Sequence, residues 1–305
     1  MKTYVKYYKK LKKLCKNVEV NYNFKADTSF KVGGEVDVIV WPTELQEFME
    51  VYLFLQDNNI PWVILGSASN VLIADSGFRG VIICTTKFKG IEQEENVLKV
   101  NAGTALNFVA NYANRAGLGG LEDAFGIPGS VGGAIIMNAS AYEFETSHVV
   151  EGVLCVLHGK ITYLENSELE FEYRNSIFKK HKNCIVLRVD FKLTPNQDVD
   201  ALLERSKFIM DKRKMSQPLD LPSAGSFFKR ADNIIVSKLI DETGLKGYNV
   251  NGAKVSEKHA GFIVNYDNAT AQDILAVAQH VEDVILQEHN VVLEKEVKLL
   301  GTFED

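Results

Sequence analysis

The sequence predicts a globular fold of mixed helices and strands, organised as two or three packed domains. Its 305 residues reach the size, about 250 to 300 residues, at which a single hydrophobic core stops growing. Hydrophobic residues make up 46% of the chain and charged residues 24%, as in ordinary globular proteins. Short apolar runs typical of strands occur between segments of helical periodicity.

Charge and cysteine content exclude several function classes. A net charge of -6 and a pI near 5.6 argue against the basic surface that nucleic-acid binding needs. The four cysteines lie far apart, and the histidines complete no metal-ligand pattern with them. No apolar segment is long enough to span a bilayer. We therefore expect a reduced cytoplasmic protein with no metal, no nucleic-acid partner and no stable membrane insertion.

The N-terminal segment predicts an amphipathic helix. Residues 1–16 carry seven lysines among apolar side chains at helical spacing. They lack the continuous apolar stretch of a secretory signal. A solvated lysine face over a buried stripe is favoured here over membrane docking.

The first third of the chain predicts an extended region at residues 28–40 and then a helix. Thr43 and Gln46 have the spacing of a capping box at the start of this helix. The apolar run 62–65 predicts a strand that ends in a loop of small residues at 66–70. Such a loop lets backbone N–H groups approach an anion.

The middle of the chain is dominated by glycine. After strands predicted at 81–84 and 97–100, Thr104 is expected to cap a short helix that ends before Gly117. The run GIPGSVGG at 126–133 has neither the Lys-Ser/Thr of a P-loop nor the glycine spacing of a Rossmann turn. Alone it favours a tight structural turn, whereas together with the loop at 66–70 it favours a dinucleotide held between two loops.

The last third of the chain predicts a further mixed unit. A helix is expected at about 198–215, and a strand at 261–265 precedes a helix capped by Thr270. Residues 291–300 alternate apolar and charged side chains, which predicts a strand with Glu296 on its charged face.

Short motifs occur in a fixed order along nearly the whole chain. They are TSFKVGG at 28–34, LGSASN at 65–70, GIPGSVGG at 126–133, YRNS at 173–176, SAGSFFK at 223–229, HAGFIVN at 259–265 and LEKEV at 293–297. Each motif alone is weak evidence, but the ordered set is specific. Through it the chain resembles the UDP-N-acetylenolpyruvoylglucosamine reductase family, in its shorter subtype.

The resemblance implies an α+β protein with the vanillyl-alcohol-oxidase-like (PCMH-type) FAD-binding fold. We expect two FAD-binding subdomains at 1–80 and 81–197 and an α+β substrate-binding domain at 198–305, and it is left open whether the last strand returns toward the first subdomain. The implied cofactor is FAD. The implied reaction is the NADPH-dependent reduction of UDP-N-acetylglucosamine enolpyruvate to UDP-N-acetylmuramate in peptidoglycan precursor synthesis, with NADPH binding first to a monomer.

The resemblance also assigns residue roles, motif by motif. The family's catalytic positions fall on Arg174, Ser226 and Glu296. Its FAD positions fall on Gly66, Ser67, Ala68, Ser69, Asn70, Gly126, Ile127, Pro128, Gly129, Ser130, Gly132, Gly133, Asn138 and Ala139. Weaker candidates for binding the UDP-sugar or the NADPH phosphates are Tyr173, Arg213, Gln217, Lys229 and His259.

The three catalytic residue types suit this chemistry. A hydride added to the vinyl carbon leaves negative charge on the adjacent carbon, delocalised into the substrate carboxylate. Arg174 offers a fork of donors to that charge, and Glu296, protonated or acting through a neighbour, adds another hydrogen bond. Ser226 then donates the proton, and Lys229 is one candidate for the group that supplies a proton to Ser226. Singly, each residue is more often a surface ion pair, a turn residue or a solvated carboxylate, but their joint match favours one active site.

The chain departs from the family's pattern at three positions. Lys295 and Lys298 replace the proline and arginine of a Leu-Glu-Pro-Glu-Val-Arg motif, and Arg230 stands where asparagine is common. These changes leave substrate binding at those positions open.

Two alternatives remain beside the reductase. An FAD-linked oxidase of the same fold would in many members carry a histidine in the phosphate loop, and residues 66–70 contain none. A non-catalytic nucleotide-sensing protein is disfavoured because the chain retains all three catalytic residue types.

Overall fold

A computed structural model describes residues 4–181, 183–231 and 234–303, so the first three residues of the predicted N-terminal helix lie outside the described part. Its α-helices are α1 (Tyr8–Leu14), α2 (Leu45–Asp57), α3 (Leu106–Arg115), α4 (Val131–Met137), α5 (Ile177–Lys180), α6 (Val199–Ser216), α7 (Val236–Glu242) and α8 (Ala271–His289). Single turns of 3-10 helix lie at Val5–Tyr7, Phe24–Ala26, Thr85–Lys87, Glu122–Gly126, Thr146–His148 and Asn166–Glu168.

Within the described residues, the β-strands fall into three main sheets and two short pairs. They are β1 (Val18–Asn23), β2 (Glu35–Val40), β3 (Trp62–Leu65), β4 (Val71–Ile73), β5 (Phe78–Cys84), β6 (Ile91–Glu94), β7 (Val97–Asn101), β8 (Ser140–Ala141), β9 (Phe144–Glu145), β10 (Val150–Leu157), β11 (Lys160–Glu165), β12 (Ile185–Lys192), β13 (Asn249–Val250), β14 (Ala253–Val255), β15 (Ile263–Asn265) and β16 (Lys298–Leu300).

The first sheet has the strand order β1-β2-β5-β3. Its strands β2, β5 and β3 are parallel, and the continuous apolar runs of β2 and β5 are buried, as parallel strands covered on both faces require. Leu65 at the end of β3 pairs with Cys84 at the end of β5. The loop at 66–70 and Thr85 therefore leave the sheet at the same carboxyl edge, where open α/β sheets bind ligands.

The second sheet is antiparallel and has the order β11-β10-β12-β7-β6. Helix α4 packs against β12 and β7, and its apolar residues join those of α3 and the sheet in one buried cluster. This packing fixes the start of α4 beside the glycine-rich run at 126–133.

The third unit packs helix α8 against the small sheet β13-β14-β15 and helix α7 against α8. Its apolar cluster also includes Phe30, Val32 and Leu72 from the N-terminal part of the chain. The last strand, β16, runs parallel to β4, with Leu299 paired to Leu72. The C-terminal segment is thus joined to the segment that follows the loop at 66–70.

Several local predictions are confirmed and three are wrong. Thr270 forms the predicted capping box, and Gly117 has a positive φ of 67°. The predicted capping box at α2 is wrong, because Thr43 bonds the Glu47 carboxylate and the N-cap is Glu44. The predicted Thr104 cap is also wrong, because its hydroxyl bonds the backbone of Gly90 instead.

The third wrong prediction concerns the C-terminal strand. Only residues Lys298–Leu300 of the predicted 291–300 form a regular strand. The Glu296 side chain is 13% exposed rather than lying on a solvated face.

Among the described residues, no helix is long and apolar enough to cross a membrane. The same part of the chain contains no group of three or more His, Cys, Asp or Glu side chains placed to hold a metal ion.

Candidate active site

A cavity of about 430 Å³ opens between the first two sheets and the third unit. Its wall contains residues from both small-residue loops and from all three segments that carry the predicted catalytic residues. The predicted site residues in this wall are Gly66, Ser67, Ala68, Ser69, Asn70, Ile127, Pro128, Gly129, Ser130, Gly132, Gly133, Ala139, Arg174, Arg213, Gln217, Ser226 and Glu296. The structure therefore brings most of the predicted site residues together, while their individual roles stay predictions.

The two small-residue loops touch each other along one side of the cavity. The Ser69 hydroxyl donates to the carbonyl of Pro128 over 3.3 Å. Gly66 faces Ser130 so closely that a Cβ at position 66 would overlap the Ser130 hydroxyl. Gly129 has a φ of 127°, a conformation that glycine adopts without strain. Bare backbone is thus required where the loops meet.

The loop at 66–70 has backbone donors to offer a ligand. Within the part of the chain that the structure describes, the N–H groups of Ser67, Ala68, Ser69 and Asn70 donate to no protein acceptor. Ala68 is buried and has a left-handed φ of 47°. Buried N–H groups without a partner are rare in proteins, and a concave set of them suits a phosphate. These loops fit the pyrophosphate of a dinucleotide.

Arg174 and Glu296 form a largely buried ion pair inside the cavity. The Arg174 Nε lies 2.8 Å from Glu296 Oε1, and the two side chains are 18% and 13% exposed. The Arg174 N–H does not point at that oxygen, so Nε makes no directed hydrogen bond. Nη1 of Arg174 donates to the Ser140 hydroxyl over 2.9 Å. The guanidinium is therefore held at one end and keeps donor capacity for a ligand.

Glu296 titrates at a higher pH than an exposed glutamate. Burial raises its pKa, and the positive charges of Arg174, Lys229 and Lys179 oppose that rise. The net shift of the pKa is upward, because desolvation destabilises the carboxylate more than these positive charges stabilise it.

A tight turn presents Arg174 to the cavity. The backbones of Glu172 and Asn175 bond each other in both directions, which places Arg174 near the tip of the turn with a left-handed φ of 53°. The Ser176 hydroxyl then donates to the carbonyl of Ile136 at the end of α4. Helix α4 thus fixes the turn from one side.

Backbone bonds between distant segments place Ser226 and Glu296. The Glu296 N–H donates to the carbonyl of Phe227 over 2.8 Å, one residue after Ser226. Asn70 makes two hydrogen bonds to the same segment. Its Nδ2 donates to the Glu296 carbonyl, and its own carbonyl accepts from Lys298 N–H. Among the described residues, the Ser226 hydroxyl has no hydrogen-bond partner, which leaves it free to serve a ligand.

Arg213 and Gln217, at the end of α6, carry further unsatisfied polar atoms. Nε of Arg213 and Oε1 of Gln217 are buried, and neither has a hydrogen-bond partner within the described residues. Burial lowers the pKa of Arg213. Buried polar atoms without partners are costly, so their position in the cavity wall indicates a polar ligand.

Five of the predicted site residues lie outside the cavity wall. Gly126 lies beneath the Arg213 side chain, and the Tyr173 hydroxyl accepts from Arg230 N–H over 3.2 Å. Lys229 is paired with Glu294. His259 packs on Phe262, which does line the cavity, and burial lowers the pKa of His259.

Asn138 is the fifth residue outside the wall, and protein contacts use its side chain fully. Its Nδ2 donates to Glu145 Oε1 and to the Glu172 carbonyl, while its Oδ1 accepts from Ser147 N–H. Its left-handed φ of 40° ends α4. The side chain therefore supports the turn that carries Arg174.

Sequence reasoning missed two polar residues of the site. Ser140 bonds Arg174 directly, and Lys179 donates to the Arg174 carbonyl over 2.6 Å. Neither position had a periodic or spacing signal, because a hydroxyl in a short strand and a lysine in a lysine-rich helix both look like surface residues. Lys298, noted only as a departure, lines the cavity.

Comparison with known proteins gives concordant matches. Residues 217–300 match the family profile described as the C-terminal domain of UDP-N-acetylenolpyruvoylglucosamine reductase, and residues 36–162 match an FAD binding domain. A UDP-N-acetylenolpyruvoylglucosamine reductase of Clostridium novyi is 43% identical over 296 residues, 96% of each chain. That of Clostridium tetani is 43% identical over 93% of this chain and 92% of its own.

A solved structure is similar over most of its length. The crystal structure of UDP-N-acetylenolpyruvylglucosamine reductase from Thermus caldophilus has a TM-score of 0.80 and 32% identity, covering 93% of this chain and 98% of that one. The predicted α+β FAD-binding fold is confirmed by this similarity and by the FAD binding domain match. The proposed domain boundaries at residues 80 and 197 stay a prediction.

Proposed function

The chain belongs to the UDP-N-acetylenolpyruvoylglucosamine reductase family, and from this premise we propose how its cavity carries out the reaction. The protein is an FAD-dependent oxidoreductase that reduces UDP-N-acetylglucosamine enolpyruvate to UDP-N-acetylmuramate in peptidoglycan precursor synthesis. NADPH supplies the electrons and binds in the same cleft before the UDP-sugar.

One observation carries the proposal: Arg174, Ser226 and Glu296 line the same cavity as the two small-residue loops. These residues lie in three segments separated by 50 residues or more along the chain. Unrelated surface residues would have no reason to meet beside a set of unpartnered backbone donors. The loops are proposed to hold the FAD pyrophosphate, and Arg213 and Gln217 to bind the polar parts of the substrates.

FAD, when bound, supplies hydride transfer between NADPH and the vinyl carbon of the enolpyruvyl group. The protein's own residues manage the charge that this transfer creates. Arg174 binds the substrate carboxylate and stabilises the negative charge delocalised into it. Fixing the guanidinium in advance, through Ser140 and the Glu172–Asn175 turn, reduces the cost of orienting it during the reaction.

Ser226 is proposed to donate the proton that completes the saturation. Its hydroxyl is half-buried in the cavity wall and has no competing partner among the described residues. Serine is a weak acid, so a second group must return a proton to the hydroxyl oxygen. Glu296, whose pKa is raised, is suited to hold a proton near this position.

The protein is proposed to work as a monomer in the cytoplasm. The cysteines Cys15, Cys84, Cys155 and Cys184 are all free thiols, which suits a reducing compartment.

An absorbance spectrum and an NADPH oxidation assay test the proposal. The purified protein should show bound flavin and should oxidise NADPH only when UDP-N-acetylglucosamine enolpyruvate is present. A colourless protein that is indifferent to added FAD would contradict it. Oxygen-dependent oxidation of an alcohol or a free sugar, without need for NADPH, would instead favour an oxidase.

A further inference from the structure

We propose that Lys179 is a positioning residue for the Arg174–Glu296 pair, holding the Arg174 backbone through its Nζ hydrogen bond and supplying a fixed positive charge beside Glu296. This inference rests on the proposed function, because it assigns Lys179 to the reaction through Arg174 and Glu296. Lys179 itself is not in the cavity wall, so it acts through these neighbours and not on the substrate.

The first support is geometric. Nζ of Lys179 lies 2.6 Å from the carbonyl oxygen of Arg174, so the hydrogen bond acts on the residue whose backbone is strained. Arg174 has a left-handed φ of 53°, and L-residues other than glycine adopt this region rarely and at an energetic cost. The hydrogen bond from Lys179 is one of the contacts that hold Arg174 in this conformation.

The same turn is held at its other end by Asn138. Nδ2 of Asn138 donates to the Glu172 carbonyl over 3.2 Å, so the two ends of the turn have separate anchors. Asn138 holds the Glu172 carbonyl at the start of the turn, and Lys179 holds the peptide group between Arg174 and Asn175. Without Lys179, the start of the turn would stay in place while the guanidinium lost its defined direction.

The second support is the charge distribution. Lys179 donates to a carbonyl and forms no ion pair within the described residues, unlike Lys229, whose charge is matched by Glu294. The charged groups that face Lys179 are Lys229 and Glu294, Lys298 and Glu296, and those that face Glu296 are Arg174, Lys229 and Lys179. Burial lowers the pKa of Lys179, and Lys298 and Lys229 lower it further. Such a position is unfavourable for an ordinary surface lysine.

The neighbouring lysine provides a matched control. Lys180 follows on the same short helix, is 46% exposed and pairs with Glu170. It has the same chemistry as Lys179, but its amine pairs with Glu170 and not with the Arg174 carbonyl. A general effect of removing one lysine from α5 would appear equally in both.

Three substitutions separate the two parts of the proposed role. Lys179→Arg keeps charge and donors, Lys179→Gln keeps a donor but no charge, and Lys179→Met keeps neither. Each is compared with wild type and with Lys180→Met, first for FAD content. Stopped-flow measurement then follows flavin reduction by NADPH and flavin reoxidation by the enolpyruvyl substrate separately.

We expect flavin reduction to change little in all variants. Reoxidation by substrate should fall at least about tenfold in Lys179→Met, because a displaced guanidinium loses orientation at the reacting centre. Lys179→Gln should lose less, and Lys179→Arg and Lys180→Met should stay close to wild type.

A second measurement detects the effect of the Lys179 charge on Glu296 without catalytic turnover. The protonated carboxyl band of Glu296, identified by its loss in Glu296→Gln, is followed by infrared spectroscopy as a function of pH. Removing a neighbouring positive charge disfavours the carboxylate, so the titration should move to higher pH in both Lys179→Gln and Lys179→Met but not in Lys179→Arg or Lys180→Met.

The outcomes discriminate between the possible failures. An active wild type whose Lys179→Met and Lys179→Gln variants match Lys180→Met in both measurements would overturn the role of Lys179 alone. If Lys179→Met does not fold, unchanged reoxidation and titration in Lys179→Gln would overturn it equally. A wild type that never oxidises NADPH with the substrate would remove the proposed function and this inference with it.

Discussion

At the scale of single residues, the site depends on polar groups that are buried before any ligand arrives. The Arg174–Glu296 pair is the main example. Burying a pair of charges costs desolvation free energy that mutual attraction does not always repay. The raised pKa of Glu296 reflects this desolvation cost for a carboxylate. The buried Nε of Arg213, which has no hydrogen-bond partner among the described residues, reflects it for a cation.

The raised pKa of Glu296 predicts a pH-dependent effect on stability. A carboxyl whose pKa is higher in the folded state contributes stability that is fully present below its unfolded pKa and is lost as pH rises through the folded pKa. Glu296→Gln has no such titration. Its free energy of unfolding relative to wild type should therefore increase from pH 4 to pH 8, about the range that spans a raised glutamate pKa.

Urea denaturation of both proteins at several pH values measures this difference. Glu204→Gln, which replaces an exposed glutamate of α6 that makes no hydrogen bond or ion pair among the described residues, serves as the control for loss of an exposed carboxylate. A difference between Glu296→Gln and wild type that is flat or falls with pH would contradict the burial argument.

At the scale of elements, helix α8 joins the third unit to the first. Its N-terminal N–H groups at Ala271 and Gln272 donate to the two carboxylate oxygens of Asp75 over 2.9 and 3.1 Å. Asp75 lies 196 residues earlier in the chain than Ala271, just after β4. An acidic side chain also suits the positive end of the helix dipole.

Removing this cap should weaken the molecule measurably. Asp75→Ala is expected to lower the free energy of unfolding by about 1 to 2 kcal/mol, the usual cost of losing a helix cap. Asp75→Asn, which keeps one acceptor oxygen, should lose less. Chemical denaturation measures both, with Asp57→Ala as a control for loss of an exposed aspartate. Equal stability of Asp75→Ala and Asp57→Ala would show that the cap contributes nothing.

Element prediction succeeded where the signal was local. The Thr270 capping box and the strand at 62–65 depend on residues within a few positions of each other. The caps at Thr43 and Thr104 were wrong because the hydroxyls found partners outside the expected spacing, Glu47 for one and the distant Gly90 for the other. Tertiary contacts decide such choices, and a single sequence does not display them.

At the scale of the whole molecule, the cavity is assembled from segments that lie far apart in the chain. The segment that carries Glu296 is held between Phe227 and Asn70, and β16 pairs with β4. The ordered motifs predicted which residues would meet. They did not predict the bonds made by the Asn70 and Asn138 side chains, because both amides bond backbone atoms of distant segments, and a backbone partner leaves no trace in residue type.

We propose that Ser226 supplies the proton when this assembled cavity reduces the enolpyruvyl group. Ser226→Ala leaves the loops, Arg174 and Glu296 in place, so it changes the proton donor alone. Anaerobic stopped-flow spectroscopy of the flavin measures reduction by NADPH and reoxidation by UDP-N-acetylglucosamine enolpyruvate as separate steps. Ser223→Ala, in the same motif but outside the cavity wall, is the control.

We expect Ser226→Ala to be reduced by NADPH at close to the wild-type rate, while its reoxidation by the enolpyruvyl substrate is slower by about 10² to 10⁴-fold, the usual contribution of a general acid. Equal loss in both half-reactions, or reoxidation at the wild-type rate, would contradict it.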